Sequence, residues 1–274
     1  MKHAILVIGY GEKAAVLQET INILDNEDID FFIHWDKRYA LPSLKSDYSK
    51  IYFIKDRIKV KWGSFTQIEA EKKLLKSINK EKYQYVHLIS SNDMPLMTPD
   101  YFKGYFKNEA YIGFVVPVPE DAKLRVQYYY PNNVDFRKFK LIRILFDYIN
   151  KLFRINRLKN KELKIYKGPS WFSLKTKYIS DLLLDKWVNV FKHSFCGDEE
   201  YTQTILQMFY TKDTRDDCTQ AARYIDWKRG CPYTFQITDI QELAGKVNKE
   251  YAFARKVKDP LIVSNVFKKF NQNN

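Results

Sequence analysis

The first 115 residues alternate two patterns of hydrophobic positions. Short apolar runs such as "HAILVIG" (3–9) and "DFFIHWD" (30–36) are typical of buried strands, whereas "AAVLQETINIL" (14–24) has the spacing of an amphipathic helix. The same alternation continues through "KIYFI", "SFTQIEAEKKLLKSI", "YQYVHLIS", "PDYFKGYF" and "AYIGFVV". It predicts an α/β fold with a mixed, mainly parallel sheet and helices on both faces. Ser64, three residues before Gln67, predicts a capping box at the start of one helix.

Residues 137–158 have a different pattern. Apolar residues recur at helical spacing at Leu141, Leu145, Tyr148, Leu152 and Ile155. Basic residues surround them, with only Asp147 opposed: Arg137, Lys138, Lys140, Arg143, Lys151, Arg154 and Arg157. This basic helix suits either peripheral contact with an anionic membrane or an ordinary surface helix with a solvated basic face.

The rest of the second half contains "GPSWFSL" (168–174), a predicted helix over 176–191, the acidic "GDEEYTQTIL" (197–206) and a basic C-terminal part. No linker rich in proline or glycine separates the two halves, so one domain over 1–274 is expected. Within it we expect a nucleotide-binding half over 1–115 and an acceptor-binding and catalytic half over 116–274.

Composition narrows the class of protein. The 274 residues are 45% hydrophobic, enough for a sizeable core. They contain neither a long uninterrupted apolar run nor a secretory h-region, so a cytoplasmic location is expected. The three cysteines lack C-x-x-C spacing and are expected to be free thiols. A net charge of +13 indicates an anionic partner, which could be a phosphorylated ligand, a membrane surface or nucleic acid.

The first turn offers one functional hypothesis. Gly9, Gly11 and Ala14 form G-x-G-x-x-A between a strand and a helix, and Asp36 ends the next strand, as in a dinucleotide-binding site. A glycine turn alone is a weak signal, because any turn that needs positive φ uses glycine. An NAD(P)-dependent oxidoreductase therefore stays open as an alternative function.

A second candidate region follows the strand "YVHLIS". Asp93 lies just beyond its end, where open α/β sheets bind ligands. Sugar transferases that use a metal often carry an Asp-x-Asp at this place, and this chain has a single aspartate there. With one carboxylate, Mg²⁺ or Mn²⁺ has few ligands, so no metal is expected. His34 and His87 lie among apolar strand residues and are expected to be core histidines.

Six segments together resemble a known family. "FFIHWDKR", "VKWGSF", "YVHLISSNDMPL", "GPSWFSL", "GDEEYTQTIL" and "FARKV" follow the order and approximate spacing of motifs in the core-2 and I-branching glycosyltransferases, the family that also includes peptide O-xylosyltransferases. The resemblance extends to about residue 257. It implies a GT-A fold and a metal-independent, inverting transfer from a UDP-sugar, most commonly N-acetylglucosamine.

The resemblance also implies roles for individual residues. Glu199 matches the catalytic base, and inversion needs only one such carboxylate. Asp198 and Trp171 are assigned to the acceptor. The donor is assigned to Asp36, Trp62, Asp93, Arg255 and Lys256, with Lys256 at the diphosphate. A second family cation is absent because Tyr233 takes its place, and Arg229 is the nearest substitute. Each of these assignments has a simpler alternative. Trp62 and Trp171 could be core residues, the acids could cap a helix, and the cations could lie solvated on the surface.

The leading hypothesis is thus a glycosyltransferase whose glycan acceptor belongs to surface polysaccharide synthesis and is carried on a lipid. A location in the cytoplasm, with peripheral contact to the inner face of the membrane through 137–158, fits this function. The alternatives are the oxidoreductase built on Gly9 and Gly11, and a basic nucleic-acid-binding module. The second of these leaves the acidic "GDEE" without a role.

Overall fold

A computed structural model describes residues 2–132, 134–159, 161–211 and 216–272. Nine strands lie in these ranges: β1 (His3–Gly9), β2 (Ile29–Trp35), β3 (Ile51–Phe53), β4 (Tyr85–Ser90), β5 (Asp93–Pro95), β6 (Ala110–Tyr111), β7 (Ser173–Lys175), β8 (Arg223–Ile225) and β9 (Phe253–Arg255). Six form the main sheet in the order β3-β2-β1-β4-β7-β6. β1 to β4 run parallel, and β7 is antiparallel to both of its neighbours. The predicted mixed, mainly parallel sheet is confirmed.

The described ranges contain eleven α-helices: α1 (Ala15–Leu24), α2 (Thr66–Lys76), α3 (Pro99–Tyr105), α4 (Glu120–Gln127), α5 (Lys140–Leu152), α6 (Ile179–Leu183), α7 (Asp185–Phe191), α8 (Asp198–Ile205), α9 (Asp217–Gln220), α10 (Ile240–Ala244) and α11 (Pro260–Gln272). None of the helices described here has the length and apolarity needed to cross a bilayer.

Both faces of the main sheet are buried, as its continuous apolar strands require. Along β1, Leu6 packs into a core that α2 covers, whereas Ile5 and Val7 pack into a second core that α1 and α3 cover. Helices therefore lie on both faces, as predicted, and the chain forms a single α/β domain. His87 hydrogen-bonds His3 inside the second core, which confirms it as a core histidine.

A small second sheet, in the order β5-β9-β8, sets the C-terminal part against the end of β4. β9 is antiparallel to β5 and places Arg255 opposite Asp93. Arg223, at the start of β8, is fully buried and donates from Nη2 to the carbonyl oxygens of Leu88 and Phe172. Burial lowers the pKa of Arg223 to about 10. These bonds join the two sheets and fix the position of β9.

Two local predictions were wrong. The helix predicted over 176–191 is interrupted, because Leu184 has an extended backbone (ψ 129°) between α6 and α7. The capping box at Ser64 does not form either, since α2 begins at Thr66 and its N-cap residue, Phe65, makes no side-chain cap hydrogen bond. The Gln67 amide instead donates to Asp198, 2.7 Å away in α8.

Candidate active site

Three consecutive acids open α8 and differ sharply in exposure. The side chain of Glu199 is 37% exposed, whereas that of Glu200 is fully buried. Asp198 is 8% exposed. The N-cap residue is Gly197, and no side chain caps the helix. Helix capping therefore does not explain the acids, and Glu199 is the member of the group that a substrate can reach.

Two cations hold the Glu199 carboxylate. The guanidinium of Arg125, from α4, lies 2.7 Å from its Oε2, and the Lys167 ammonium lies 3.5 Å from the same oxygen. Burial alone would lower the pKa of Arg125, but the charges of Glu200 and Glu199 raise it above its ordinary value. Arg125 thus stays charged beside the two acids, and it fixes the orientation of the Glu199 side chain.

Asp198 is held by the protein rather than turned toward solvent. Its Oδ2 accepts hydrogen bonds of 2.7 Å from both Gln67 and the Ser170 hydroxyl. Burial, together with the neighbouring charge of Glu199, raises the pKa of Asp198 to about 6. The contacts fix the first turn of α8 against α2 and the 168–174 segment, so the predicted acceptor residue positions Glu199 in this structure.

Glu71, whose pKa responds to the nearby charge of Asp198, leads to a prediction about how stability depends on pH. Burial, and then the charge of Asp198, raise the pKa of Glu71 in α2 from 4.5 to about 8. Between about pH 4.5 and 8 the folded chain therefore holds a proton that the unfolded chain has lost, so the free energy of unfolding falls as pH rises through this range. We expect Glu71→Gln to reduce this fall and to raise stability at pH 8, as measured by urea unfolding from pH 5 to 9. The matched control is Glu69→Gln, exposed on the same helix; identical pH curves for parent and Glu71→Gln would refute the assignment.

The cationic side of the site is built on β9. The Arg255 guanidinium lies 2.8 Å from Asp93 Oδ1 and stacks on the Trp171 ring, 4.4 Å from its centroid. Asp93 is 1% exposed and also accepts bonds from the backbone N–H and hydroxyl of Ser90. Asp93 therefore orients Arg255. Trp171 is 8% exposed and packs in the core, which is the simpler of its two predicted roles.

Lys256 follows directly and differs from Arg255. Among the described residues it forms no ion pair. Partial burial lowers the pKa of Lys256, and the nearby positive charges of Arg255, Lys258 and Arg137 lower it further. A cation that is partly desolvated and surrounded by like charge is prepared to bind an anion, because the anion relieves both penalties.

Two series of contacts extend from the acids toward the cations beside Lys256: the first ends at Arg255 and the second at Arg137. In the first, Ser170 binds Asp198 and is followed in the chain by Trp171, on which Arg255 stacks. The second runs through aromatic rings. Arg125 lies over Phe195, Phe195 meets Trp62 edge to face at 5.9 Å between centroids, and Arg137 lies 4.9 Å over Trp62. Trp62 is 38% exposed, and its ring lies between Phe195 and Arg137.

Asp36 lies near Trp62 but is already engaged. Its carboxylate accepts bonds from the Arg38 guanidinium, at 2.6 and 3.0 Å, and from the Val60 N–H at 3.1 Å. Burial would raise the pKa of Asp36, but these bonds hold it below its ordinary value. Rather than presenting a free oxygen to a ribose, the carboxylate fixes the segment that carries Trp62.

The glycine turn also has a packing explanation. A Cβ at Gly9 would collide with the Trp35 ring, and Gly11 has a φ of +100° and accepts a hydrogen bond from the Trp35 indole at its carbonyl. Both glycines are thus accounted for without a pyrophosphate. The antiparallel β7 beside β4 also differs from the run of parallel strands at the centre of a dinucleotide-binding sheet.

Arg229 is engaged by other side chains of the protein. Its guanidinium pairs with Asp226, Asp239 and Glu242, the last at 2.7 Å. Three carboxylates offset the charge of this cation, which makes it a less suitable partner for a diphosphate than an unpaired one. Among the cations whose charge acts on Lys256, Arg137 comes from a distant part of the chain, and the sequence analysis assigned it only to the basic helix.

Other sites in the described ranges lie apart from these residues. Asp216, Asp217 and Cys218 could bring three ligand atoms together, but the Asp216 carboxylate already accepts the N–H groups of Cys218 and Thr219 at the start of α9. A cavity of about 680 Å³ lies beside β3 and α2 and includes none of the predicted site residues.

The fold and the site define a class. The α/β domain carries a reachable acid, Glu199, and a partly desolvated cation, Lys256, in the part of the chain that packs beside the end of β4. The profile of the family described as Core-2/I-Branching enzyme matches residues 4–246, and the chain belongs to this family. The protein is therefore a glycosyltransferase with a GT-A-like fold. A comparison with curated proteins finds no significant match.

The family match covers Glu199 and Trp62 but ends before Arg255 and Lys256. It is thus shorter than the resemblance traced along the sequence, which reached residue 257. The assignment of Lys256 depends on its short motif and on its position in the structure. Sequence analysis missed Arg125, Lys167 and Gln67 at this site, because no local motif marks residues that meet α8 from distant parts of the chain.

Proposed function

We propose that this glycosyltransferase moves a sugar from a UDP-sugar to a hydroxyl of a glycan acceptor, with inversion at C1 and without a metal. N-acetylglucosamine is the donor sugar that we favour. The observation that supports this function best is one reachable carboxylate, Glu199, connected through packed aromatic and cationic side chains to Arg137, whose charge acts on Lys256.

In the proposed reaction Glu199 accepts the proton of the acceptor hydroxyl. The hydroxyl oxygen forms a bond to C1 of the sugar from the face opposite the diphosphate, and the bond between C1 and the diphosphate oxygen breaks, with its electron pair leaving on UDP. The diphosphate needs no proton from an enzyme acid, so one carboxylate is sufficient. The proton on Glu199 is then released to water.

Fixed cations would stabilise the leaving diphosphate. Lys256 is the first, and Arg137 is the second that we propose, in place of the neutralised Arg229. A guanidinium can bind two phosphate oxygens at once, and such charge-assisted bonds are stronger than neutral ones. The Trp62 ring beneath Arg137 holds the guanidinium in place, at 4.9 Å from the ring centroid.

The role of Arg137 gives a second prediction. Arg137→Ala is expected to weaken the affinity for UDP by about 10- to 100-fold, the loss typical of a charged hydrogen bond. Arg137→Lys should restore part of it. Isothermal titration with UDP measures both, and the neighbouring exposed Lys138→Ala serves as the control. Equal affinities for the Arg137→Ala and Lys138→Ala variants would exclude Arg137 from the donor site.

The proposed activity is tested by UDP release from a panel of UDP-sugars, with EDTA in one series and Mn²⁺ in another. We expect release with at least one donor in EDTA. Thermal-shift measurements with UDP, NAD and NADP separate the oxidoreductase alternative, because the proposed function predicts stabilisation by UDP alone.

We further propose that the acceptor glycan is carried on a lipid and that transfer takes place in the cytoplasm. The acidic first turn of α8 forms one wall of the candidate active site, which disfavours nucleic acid as the partner of this cleft.

A further inference from the structure

Helix α5 carries an apolar stripe that the rest of the protein leaves uncovered. Leu141 is 80% exposed, Tyr148 is 64% exposed and Leu152 is 60% exposed. Ile144 and Leu145 are more than half exposed as well, and the five residues share one face because they are spaced three or four positions apart. Phe153, just after the helix, is 68% exposed. Clusters of this kind mark interaction surfaces, unlike scattered single apolar residues.

The opposite face of α5 fixes this orientation. The Asn150 side chain is buried, accepts the Tyr129 N–H at 2.8 Å and donates to the Tyr129 carbonyl at 3.0 Å. Asp147 accepts the Tyr130 hydroxyl, and Arg143 lies 5.2 Å over the Phe195 ring. Turning the apolar stripe inward would break all of these contacts. The apolar stripe of α5 therefore does not pack on the core of this chain, although the basic side chains around it are solvated.

Positive charge surrounds the stripe. Between residues 137 and 159 the chain has eight basic residues and one acid, Asp147. The exposed basic residues are Arg137, Lys138, Lys140, Lys151, Arg154 and Lys159. A cavity of about 480 Å³ at the start of α5 is lined by residues 137–142, which combine cationic and apolar side chains. An anionic, apolar partner matches both properties.

We infer that the α5 surface, residues 138–154, docks onto an anionic lipid bilayer. A helix with an exposed apolar stripe and a cationic border lies in the plane of such a bilayer, with its apolar side chains among the acyl chains and its lysines at the headgroups. A second copy of this chain fits less well, because two strongly basic surfaces would meet. The inference does not depend on the proposed reaction.

Docking through α5 also has a consequence for the active site. Arg143 and Arg125 both contact Phe195, and Arg125 binds Glu199. Glu199 is therefore connected to the protein-facing side of α5, so a docked helix would hold the candidate active site at a fixed distance from the bilayer.

The test is flotation of the full chain with vesicles. We expect the protein to float with vesicles of phosphatidylcholine and phosphatidylglycerol, and not with phosphatidylcholine alone. Leu145→Ser with Leu152→Ser should lower the bound fraction about tenfold or more, since apolar burial supplies much of the binding. Both side chains are mostly exposed, so the variant should fold.

The matched control is Leu41→Ser with Leu261→Ser, because these leucines are exposed to a similar extent, 47% and 57%, on other parts of the surface. It should float like the parent. A parent that does not float, or an α5 variant that floats equally well, overturns the inference. So does a dimer that the α5 substitutions dissociate without any vesicle binding by the parent, which would identify a second copy as the partner. UDP affinity, measured in the same samples, separates failure of docking from failure of the proposed function.

Discussion

Replacing Glu199 by Gln is expected to lower the rate of sugar transfer by about 100- to 10,000-fold, the range for removal of a general base. The amide keeps the size of the side chain and can still lie beside Arg125, but it cannot accept the proton of the acceptor hydroxyl. UDP affinity should change little, because the base acts on the acceptor and not on the diphosphate. Initial rates of UDP release in the presence of acceptor, together with UDP titration, measure the two effects separately.

The control for this variant is Glu120→Gln, an exposed acid in the first turn of α4. It should retain the parent rate. Near-parental transfer by Glu199→Gln would contradict the assignment of the base. Loss of UDP affinity in step with the rate would place Glu199 in the donor site instead.

Lys256→Met is expected to lower transfer by about 100- to 1,000-fold, the loss typical when one preorganised group that stabilises developing charge is removed. Methionine keeps much of the apolar stem, so the packing around β9 should persist. Unlike Glu199→Gln, this variant should also bind UDP more weakly, because Lys256 contacts the diphosphate before as well as during its departure.

Lys268→Met, an exposed change on α11, provides the matched control for loss of charge alone. If the Lys256 and Lys268 variants lost activity to the same small extent, general electrostatic attraction would explain the effect. Full activity and unchanged UDP affinity in Lys256→Met would remove this residue from the site.

The core of the fold could be predicted from the sequence because apolar runs report burial directly. β1, β2 and β4 are buried along their whole length, so apolar residues predominate on both of their faces. The break at Leu184 could not be predicted, since an apolar residue between two short helices continues the helical pattern.

The site could be predicted in part. Glu199, Trp62 and Lys256 could be singled out because each lies in a short motif. In the structure, side chains around these three residues contact one another or act on one another by their charge. The partners that orient them are remote in sequence: Gln67 lies 131 residues from Asp198, and Arg255 lies 162 residues from Asp93. No local pattern records such pairs. Likewise, periodicity showed that α5 has an apolar stripe, but only the contacts of Asn150 and Arg143 show that the stripe faces outward.

A crystal structure of the protein with UDP, grown in EDTA, tests the central claim most directly. The account predicts that the diphosphate lies within about 3 Å of the Lys256 ammonium and the Arg137 guanidinium, with an open path from its β-phosphate to Glu199. UDP bound away from these side chains, or a diphosphate that becomes ordered only when a divalent cation replaces EDTA, would contradict it.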